Sequence, residues 1–596
     1  MGRVDAAYCE IDLPAGVLGA PLQAAFEQPQ ELLLAWRPDQ VGPLLERAET
    51  LSRAGAWLVG LLTYEAAAAF DVKFRTHPPV AGLPLALFAA FAAPTQPRPR
   101  HGLLCGPWRD SLGRAQFDAA LAKIQQDIAA GRHYQVNFTA PLVAGWDGDA
   151  SALFDALRVS QPGAYGIYLE WDRWRAASVS PELFFHWAPD ATGAGRLLTT
   201  RPMKGTGQRH REPDADRAAA EALAASEKER AENLMIVDLL RNDLGRIARL
   251  GSVAVPSLFA LEPWATVWQM TSTVQCRTRP EVRLRDVFAA LFPCGSVTGA
   301  PKIEAMAAIV EREAGPRGLY CGALGVLMPG GEACFNVPIR TLTLDQDQRL
   351  ASCGIGSGIV ADSSAVGEHR EWRAKSRFLR RATLDFQLIE TLVWRRGRYW
   401  LLDAHLGRMG ASAQVFGFPW RRDAIRQALD QAAAGFRDGQ WRVRLLLDGA
   451  GGIQLETQPF SRSRTTAVCA LAQEPVWSAD PRLRHKTTRR EPYQQGERPS
   501  YFDTLLWNER GEATEFTRGN LVARLDGRLI TPPLASGLLP GLFRAALLER
   551  GTLAEAPLPL IRLGAADRLW LINSVRGAVR VRLAPDGSSG PARAGN

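Results

Sequence analysis

Cysteine is sparse in this sequence and never paired. Eight cysteines, at positions 9, 105, 276, 294, 321, 334, 353 and 469, are scattered through 596 residues with no Cys-x-x-Cys. That pattern points to reduced thiols in a cytoplasmic protein and argues against a zinc site. No apolar run reaches the ~18 residues a membrane helix needs, and the longest candidate, 81–93, contains Pro84. The N-terminus lacks a basic stretch followed by an apolar one, so no secretory signal is read. Zinc-finger, helix-turn-helix and RNP patterns are missing too, which leaves a nucleic-acid role without support. The net charge of +9 comes from arginines spread along the chain, with local clusters at 370–381 and 482–490. It reads either as an arginine- and alanine-rich composition or as attraction for small anions.

With 46% hydrophobic and 22% charged residues, the composition is that of a soluble globular protein. The length suggests about four domain-sized units. One stretch organises the first part: Arg201-Pro202-Met203-Lys204-Gly205-Thr206. Pro202 fixes its own φ and biases Arg201 toward extended geometry, and Gly205 permits a close backbone approach. The hexapeptide reads as a turn holding one amine rigidly after a strand over 196–200. Taken alone, it is more often a surface lysine; desolvation or nearby cations would make it a nucleophile.

Around it, residues 1–100 read as alternating short strands and turns, with an apolar strand at 57–64. Spacing of Phe117, Leu121, Ile124 and Ile128 predicts a helix over 114–131. A polar-decorated strand follows at 134–139, and 165–170 with 176–180 read as a hairpin leading to Ser180-Pro181-Glu182. A long helix is expected from about Asp214 to Leu250, dense in Glu232, Asp238, Arg241, Asn242 and Asp243, with Lys228 pairing to Glu232. The Gly-rich 292–302 opens a helix at Pro301, a place suited to a carboxylate. Residues 320–327 and 334–344 read as a strand pair holding Tyr320 and Arg340. A glycine-rich strand, 353–362, precedes a helix in which Glu368 and Glu371 share one face.

Seven segments in order, YQVNFT, SPELFF, RPMKGT, AENLMIVDLLRNDLGR, FPCGSVTGAPK, YCGALG with IRT, and GIGSGIVADS with its two glutamates, make residues 50–381 resemble the chorismate-utilising enzymes. The resemblance implies an α/β sandwich around one active site. It implies that Glu232, Glu368 and Glu371 gather round Mg²⁺, and that Tyr320, Arg340, Gly356, Gly358 and Thr298 hold substrate, Arg340 by bidentate geometry. Anthranilate synthases carry a small residue where Lys204 stands, whereas the aminodeoxychorismate synthases carry lysine. There the lysine attacks chorismate at C2 and expels the C4 hydroxyl before ammonia enters, with Glu182 matching the acid/base carboxylate. Gln269 stands where anthranilate synthases place a histidine linked to pyruvate elimination, so the enolpyruvyl arm is expected to survive.

A boundary near 383 divides a first domain, 1–382, from a second, 383–596. The second contains one lysine on a basic segment, Lys486, a carboxylate, Glu515, and glycine loops able to cradle a phosphate. Those are the parts pyridoxal phosphate requires, although a lone lysine is more often a solvated charge. The ordered set over 385–585 resembles the class IV aminotransferase-like enzymes, a two-subdomain α/β fold. By that match Lys486 carries the cofactor, Glu515 pairs with its ring nitrogen, and Arg408, Leu542, Phe543 and Ser574 touch its phosphate. Leu542 and Phe543 do so through backbone amides, and several relatives have a hydroxyl residue at the Phe543 position. The class holds both transaminases and 4-amino-4-deoxychorismate lyase; the fusion favours the lyase, so that the chain would make 4-aminobenzoate for folate synthesis. No Gly-x-Cys-x-Gly elbow accompanies these parts, and Cys105 lacks the preceding glycine. Ammonia is therefore expected from a glutamine amidotransferase partner or free ammonium. A homodimer through the second domain is allowed for.

Overall fold

The computed structural model describes residues 7–190, 195–210, 212–264, 267–383, 385–461 and 466–584. Chain contacts divide it into two units. The first is 1–99, 108–143 and 153–382; the second is 100–107, 144–152 and 383–596. Two short pieces read from sequence as part of the first domain thus belong to the second unit. Backbone packing places them there: a Cβ at Gly106 or Gly145 would meet the Phe416 or Val415 carbonyl oxygen at 2.1 or 2.0 Å. Leu384, inside the expected boundary, lies outside the described residues.

The first unit is built on two large antiparallel sheets. One runs Gly299–Ala300, Gln135–Gly148, Leu350–Ile359, Thr341–Asp345, Trp174–Ser180, Tyr165–Trp171, Ala7–Leu13, Leu22–Glu27. The other runs Met203–Gln208, Val267–Arg277, Arg196–Arg201, Leu183–Pro189, Ala333–Asn336, Ala323–Leu327, Trp57–Leu62, Ala86–Phe91, Glu31–Ala35. Their facing side chains, among them Ile11, Phe26, Leu61, Leu87, Ile167 and Val326, form one core. Helices cover the outer faces: Phe117, Leu121 and Ile124 pack with Val136, Phe138 and Ile309, while Ile236, Val237 and Leu240 pack with Phe185 and Phe288.

Two chain crossings between the sheets run side by side. Residues 180–182 carry the chain from one sheet to the other, and 337–340 carry it back. They are tied by Val337 N–H to Glu182 O at 3.1 Å and Val179 N–H to Arg340 O at 3.2 Å. The expected strand 334–344 is therefore broken into Ala333–Asn336 and Thr341–Asp345, with Arg340 at φ +50°. Pro338 cannot donate to a ladder, so the run stops there.

Three further expectations change. The first hundred residues include a helix, Pro38–Arg53. The long helix is two, Pro213–Ala225 and Glu227–Gly245, separated at Ser226, whose hydroxyl caps the second by accepting from Glu229 N–H. Lys228 pairs with Asp362 at 3.6 Å rather than with Glu232.

The second unit has two sheets. Arg398–Tyr399, Leu388–Arg395, Trp441–Leu447 and Ile453–Pro459 form the smaller. Along Trp441–Leu447, Val443, Leu445 and Leu447 point into a core with Phe416, Ile425 and Leu429, while Arg442 and Arg444 alternate outward. In the larger sheet Ala513–Phe516 pairs with both Asp503–Trp507 and Gly519–Leu525, which closes a six-stranded ring around Leu505, Phe516, Leu521 and Leu571. All eight cysteines are free and buried. No helix among the described residues is long and apolar enough to cross a membrane.

One buried ion pair ties the first unit together. Arg317 and Glu313, 3% and 4% exposed, meet at 2.7 Å. Arg317→Met should destabilise the first unit by about 3–5 kcal/mol, because Glu313 is left buried and unpaired. Scanning calorimetry would show its transition at lower temperature, and adding Glu313→Gln should recover most of the loss.

Candidate functional site

Lys204 does not sit in a turn. It lies on the edge strand Met203–Gln208, where Met203 pairs with Thr271 and Thr206 with Gln269, so one extra residue bulges out. Gly205 makes the bulge possible at φ +92°, and a Cβ there would meet Glu229 and Met270 at 3.2 Å. The bulge is held from two sides. Gln269 Nε2 donates to Gly205 O at 2.7 Å, and Asn233 Nδ2 donates to Lys204 O at 3.4 Å.

Opposite the amine is the strand Leu350–Ile359. Its alternate glycines face one side, and each space left by a missing Cβ is taken by a neighbour. Tyr320 packs over Gly354 at 2.3 Å from the would-be Cβ, Thr139 over Gly356 at 2.4 Å, and Gln135 over Gly358 at 1.9 Å. Lys204 Nζ lies 3.3 Å from that same point on Gly358. Gln135 is 2% exposed and its Oε1 has no partner. Sequence reasoning passed over Gln135, although it lies in the quoted YQVNFT segment.

Carboxylates surround this lysine. Glu182, in one sheet crossing, is 3% exposed and accepts from Ser296 Oγ at 2.6 Å. Burial pushes it up to about 7 against the opposing pull of that hydroxyl, Lys204 and Lys375. Glu229 and Glu232 come from one helix, Glu368 and Glu371 from another. Burial raises Glu232, Lys204 and Lys228 oppose it, and Glu371 and Glu368 push it further up. Glu368 accepts from Ser357 and Ser363 hydroxyls, and Glu371 pairs with Lys375 at 2.7 Å. Among the described residues no three acidic, histidine or cysteine groups converge at metal-ligand spacing. The oxygen-only donors and their mutual repulsion nevertheless fit a hard divalent cation, which would cancel the repulsion.

Arg340 has no carboxylate partner among the described residues, and burial alone pushes it down to about 10. A guanidinium without a carboxylate, just before the strand Thr341–Asp345 that pairs with Leu350–Ile359, is a place for an anion. The Thr298 hydroxyl is spent within its own turn, donating to Cys294 O at 3.1 Å.

The second unit assembles a different group. Lys486 is pushed down to about 8, first by burial and then by Arg408 and Arg490, with Glu390 and Glu515 opposing. Glu515, 2% exposed, accepts from Tyr493 Oη at 2.9 Å, Leu539 N–H at 2.8 Å and Asn520 Nδ2 at 3.1 Å. Burial still pushes it up to about 7. Arg408 donates to both oxygens of Glu390 at 2.8 Å and to Pro540 O at 2.9 Å. Three of its five N–H groups are thereby used. Glu390 also meets His405 Nδ1 at 2.6 Å. Burial would raise Glu390, but Arg408 and His405 outweigh it and hold it at about 2. Sequence reasoning missed Glu390 and His405, although both lie within 385–585, the stretch that resembles the class IV enzymes.

Leu542 and Phe543 open the helix Leu542–Glu549, so their amides are among those a helix leaves unpaired. Phe543 presents only backbone there, its ring packing on Trp400 at 5.0 Å. Ser574 lies in the turn between Arg568–Asn573 and Gly577–Leu583, beside Asn573, whose Nδ2 donates to Arg518 O at 2.9 Å. A neutral-leaning amine, a buried acid and open amides fit pyridoxal phosphate.

Comparison with known proteins gives two family matches. Residues 89–381 match the family model described as chorismate binding enzyme, and residues 387–584 match that described as amino-transferase class IV. Aminodeoxychorismate synthase component 1 of Salmonella typhimurium is 38% identical over 268 residues, covering 45% of this chain and 57% of that protein. The protein of the same name from Klebsiella aerogenes is 38% identical over 288 residues, covering 48% and 62%. The chain thus spans less than two thirds of the length of these curated relatives. Anthranilate synthase component I of Streptococcus pneumoniae shares the fold, with a TM-score of 0.50 at 24% identity over 63% of this chain and 93% of that one.

Reductive methylation followed by mass spectrometry would titrate the amine of Lys486. Since its pKa is lowered to about 8, the reactive neutral form should appear as pH rises through about 8, well below the ordinary lysine value. Labelling that begins only near pH 10 would show an unperturbed amine.

Proposed function

Because residues 89–381 belong to the chorismate binding enzymes and residues 387–584 to the class IV aminotransferases, we propose that the chain makes 4-aminobenzoate from chorismate in two consecutive reactions. The first unit replaces the C4 hydroxyl of chorismate with an amino group. The second eliminates pyruvate from the resulting 4-amino-4-deoxychorismate, and the ring becomes aromatic.

The observation that carries the first reaction is Lys204 held on a bulge, with its charge reaching the buried acid Glu182. Arg340 receives a substrate carboxylate. The Lys204 amine adds at ring C2 as the C4 hydroxyl leaves, taking the Glu182 proton to become water. Ammonia then bonds at C4 and the lysine departs from C2 as a free amine. Glu182 recovers its proton from the new ammonium group, so the cycle closes. Gln269 is committed to holding the bulge, and an amide is no proton shuttle, which fits an enolpyruvyl arm that stays on. Magnesium held by Glu232, Glu368 and Glu371 would supply positive charge against the substrate's anionic groups. Ammonia comes from a glutamine amidotransferase subunit or from free ammonium.

Lys486 and Glu515 support the second reaction. Pyridoxal phosphate, when bound, supplies an electron sink. Arg408, the backbone amides of Leu542 and Phe543, and Ser574 would hold its phosphate. Glu515, positioned by three donors, stands as the acceptor for a protonated ring nitrogen. With its lowered pKa, Lys486 can take the C4 proton of the substrate near neutral pH.

Incubation with chorismate, Mg²⁺ and ammonium should yield 4-aminobenzoate and pyruvate in equal amounts without added lyase. Accumulation of 4-amino-4-deoxychorismate would instead make the second unit a transaminase with another substrate. Lys204→Ala should abolish amination while chorismate still binds, whereas Glu182→Gln should slow it ~10²–10⁴-fold. A carboxyl raised to about 7 is the proton donor only below that pH. Amination by the wild type should therefore decline as pH rises through about 7, and this limb should be absent in Glu182→Gln.

A further inference from the structure

A cavity in the first unit, of about 440 Å³, has none of Lys204, Arg340 and Tyr320 in its lining. It is lined by Trp108, Phe117 and Trp372 together with Arg109, Arg373 and Arg380. None of these three arginines has an ion-pair or side-chain hydrogen-bond partner among the described residues. Asp110 is the one carboxylate in the lining. The volume is within the range of small-molecule pockets. Aromatic walls with unpaired guanidinium groups select a ligand having a flat ring and a negative charge.

The wall also reaches the carboxylates of the first site. Trp372 Nε1 donates to Ser357 Oγ at 2.9 Å, and Ser357 Oγ donates to Glu368. Glu368 and Trp372 lie four apart on the helix Ala365–Lys375. A ring packed on Trp372 therefore touches the residue that, through one hydroxyl, fixes a Glu368 oxygen.

We propose that this cavity binds a small aromatic carboxylate and that occupancy shifts the affinity of the Glu232, Glu368 and Glu371 set for a divalent cation. Binding itself stands on the cavity alone; the coupling rests on the metal assignment in the function proposed above. A product such as 4-aminobenzoate has the right chemistry to report back on its own synthesis.

Calorimetric titration of the full-length protein with benzoate, without chorismate, tests the binding. Saturable binding should weaken at least tenfold in Arg373→Ala/Arg380→Ala, while the melting profile and amination without benzoate stay as in wild type. Equal binding by the variant, or no saturable binding at millimolar benzoate, overturns the site. Inorganic phosphate serves as the ring-free control, and phosphate binding as well as benzoate overturns the aromatic part. Repeating the titration with saturating Mg²⁺ should change the benzoate affinity at least twofold. Trp372→Phe keeps the ring but removes the N–H, so it should retain binding and lose that Mg²⁺ dependence. An affinity indifferent to Mg²⁺ in wild type overturns the coupling. If benzoate behaves as expected but chorismate gives no amination, the proposed reaction fails and the site stands.

Discussion

The geometry of the first site depends on Arg317 and Glu313. Both charges are almost wholly removed from water, which is costly unless every remaining donor and acceptor is used. Here they are. Arg317 donates to Val297 O and Asn137 O at 2.7 Å each, and lies 4.7 Å over the Tyr64 ring. Glu313 Oε1 accepts from both Thr139 N–H and its hydroxyl at 2.9 Å. The pair therefore fixes the strand that carries Gln135, Asn137 and Thr139 against the turn that holds Thr298. That strand fills the spaces over Gly356 and Gly358. A shift of a few tenths of an ångström would be felt at Lys204, because the packing there leaves no room for even one added carbon.

The two sites solve one electrostatic problem in different ways. Each contains a buried glutamate pushed up to about 7 by burial. Glu182 has a single serine hydroxyl and can gain and lose a proton during a cycle. Glu515 is held by a phenol, a backbone amide and a side-chain amide, and it stays in place. A cationic ring nitrogen placed beside it would drive it to the ionised form by Coulomb attraction. Glu390 shows the other limit: the Arg408 guanidinium, with a hydrogen bond from His405, overcomes complete burial, and the carboxylate remains charged to hold Arg408.

Much of this was legible in the sequence, because motif residues mark positions where the chain must supply a particular atom. Lys204, Glu182, Arg340, Lys486 and Glu515 were all named from their segments. What escaped was support. Nothing local in Leu388-Ile389-Glu390 tells that Glu390 meets His405, since the contact spans a strand and a helix. The helix break at Ser226 was readable: Ser226 with Glu229 three residues on is a helix-start signature, overlooked inside an apparently continuous pattern. Pro338 likewise announced the end of a strand. Assignment of 100–107 and 144–152 to the second unit had no sequence signal, because it arises from backbone contacts at glycines.

The displacement of Lys204 from the expected turn to a bulged strand changes the argument for its reactivity. A turn lysine is held by its own few residues. A bulge in a paired strand is held by its partner strand, and this one is also held by a helix through Asn233. The main-chain carbonyls on both sides of the extra residue are occupied, so the root of the side chain cannot drift. Only the four-carbon stem remains free, and Gly358 and Gln135 stand at its tip. Pre-paid orientation of that kind is a large share of what a nucleophile needs. It also explains why position 205 admits no side chain: both the left-handed φ and the contact with Glu229 would have to give, and the bulge would relax into the ladder.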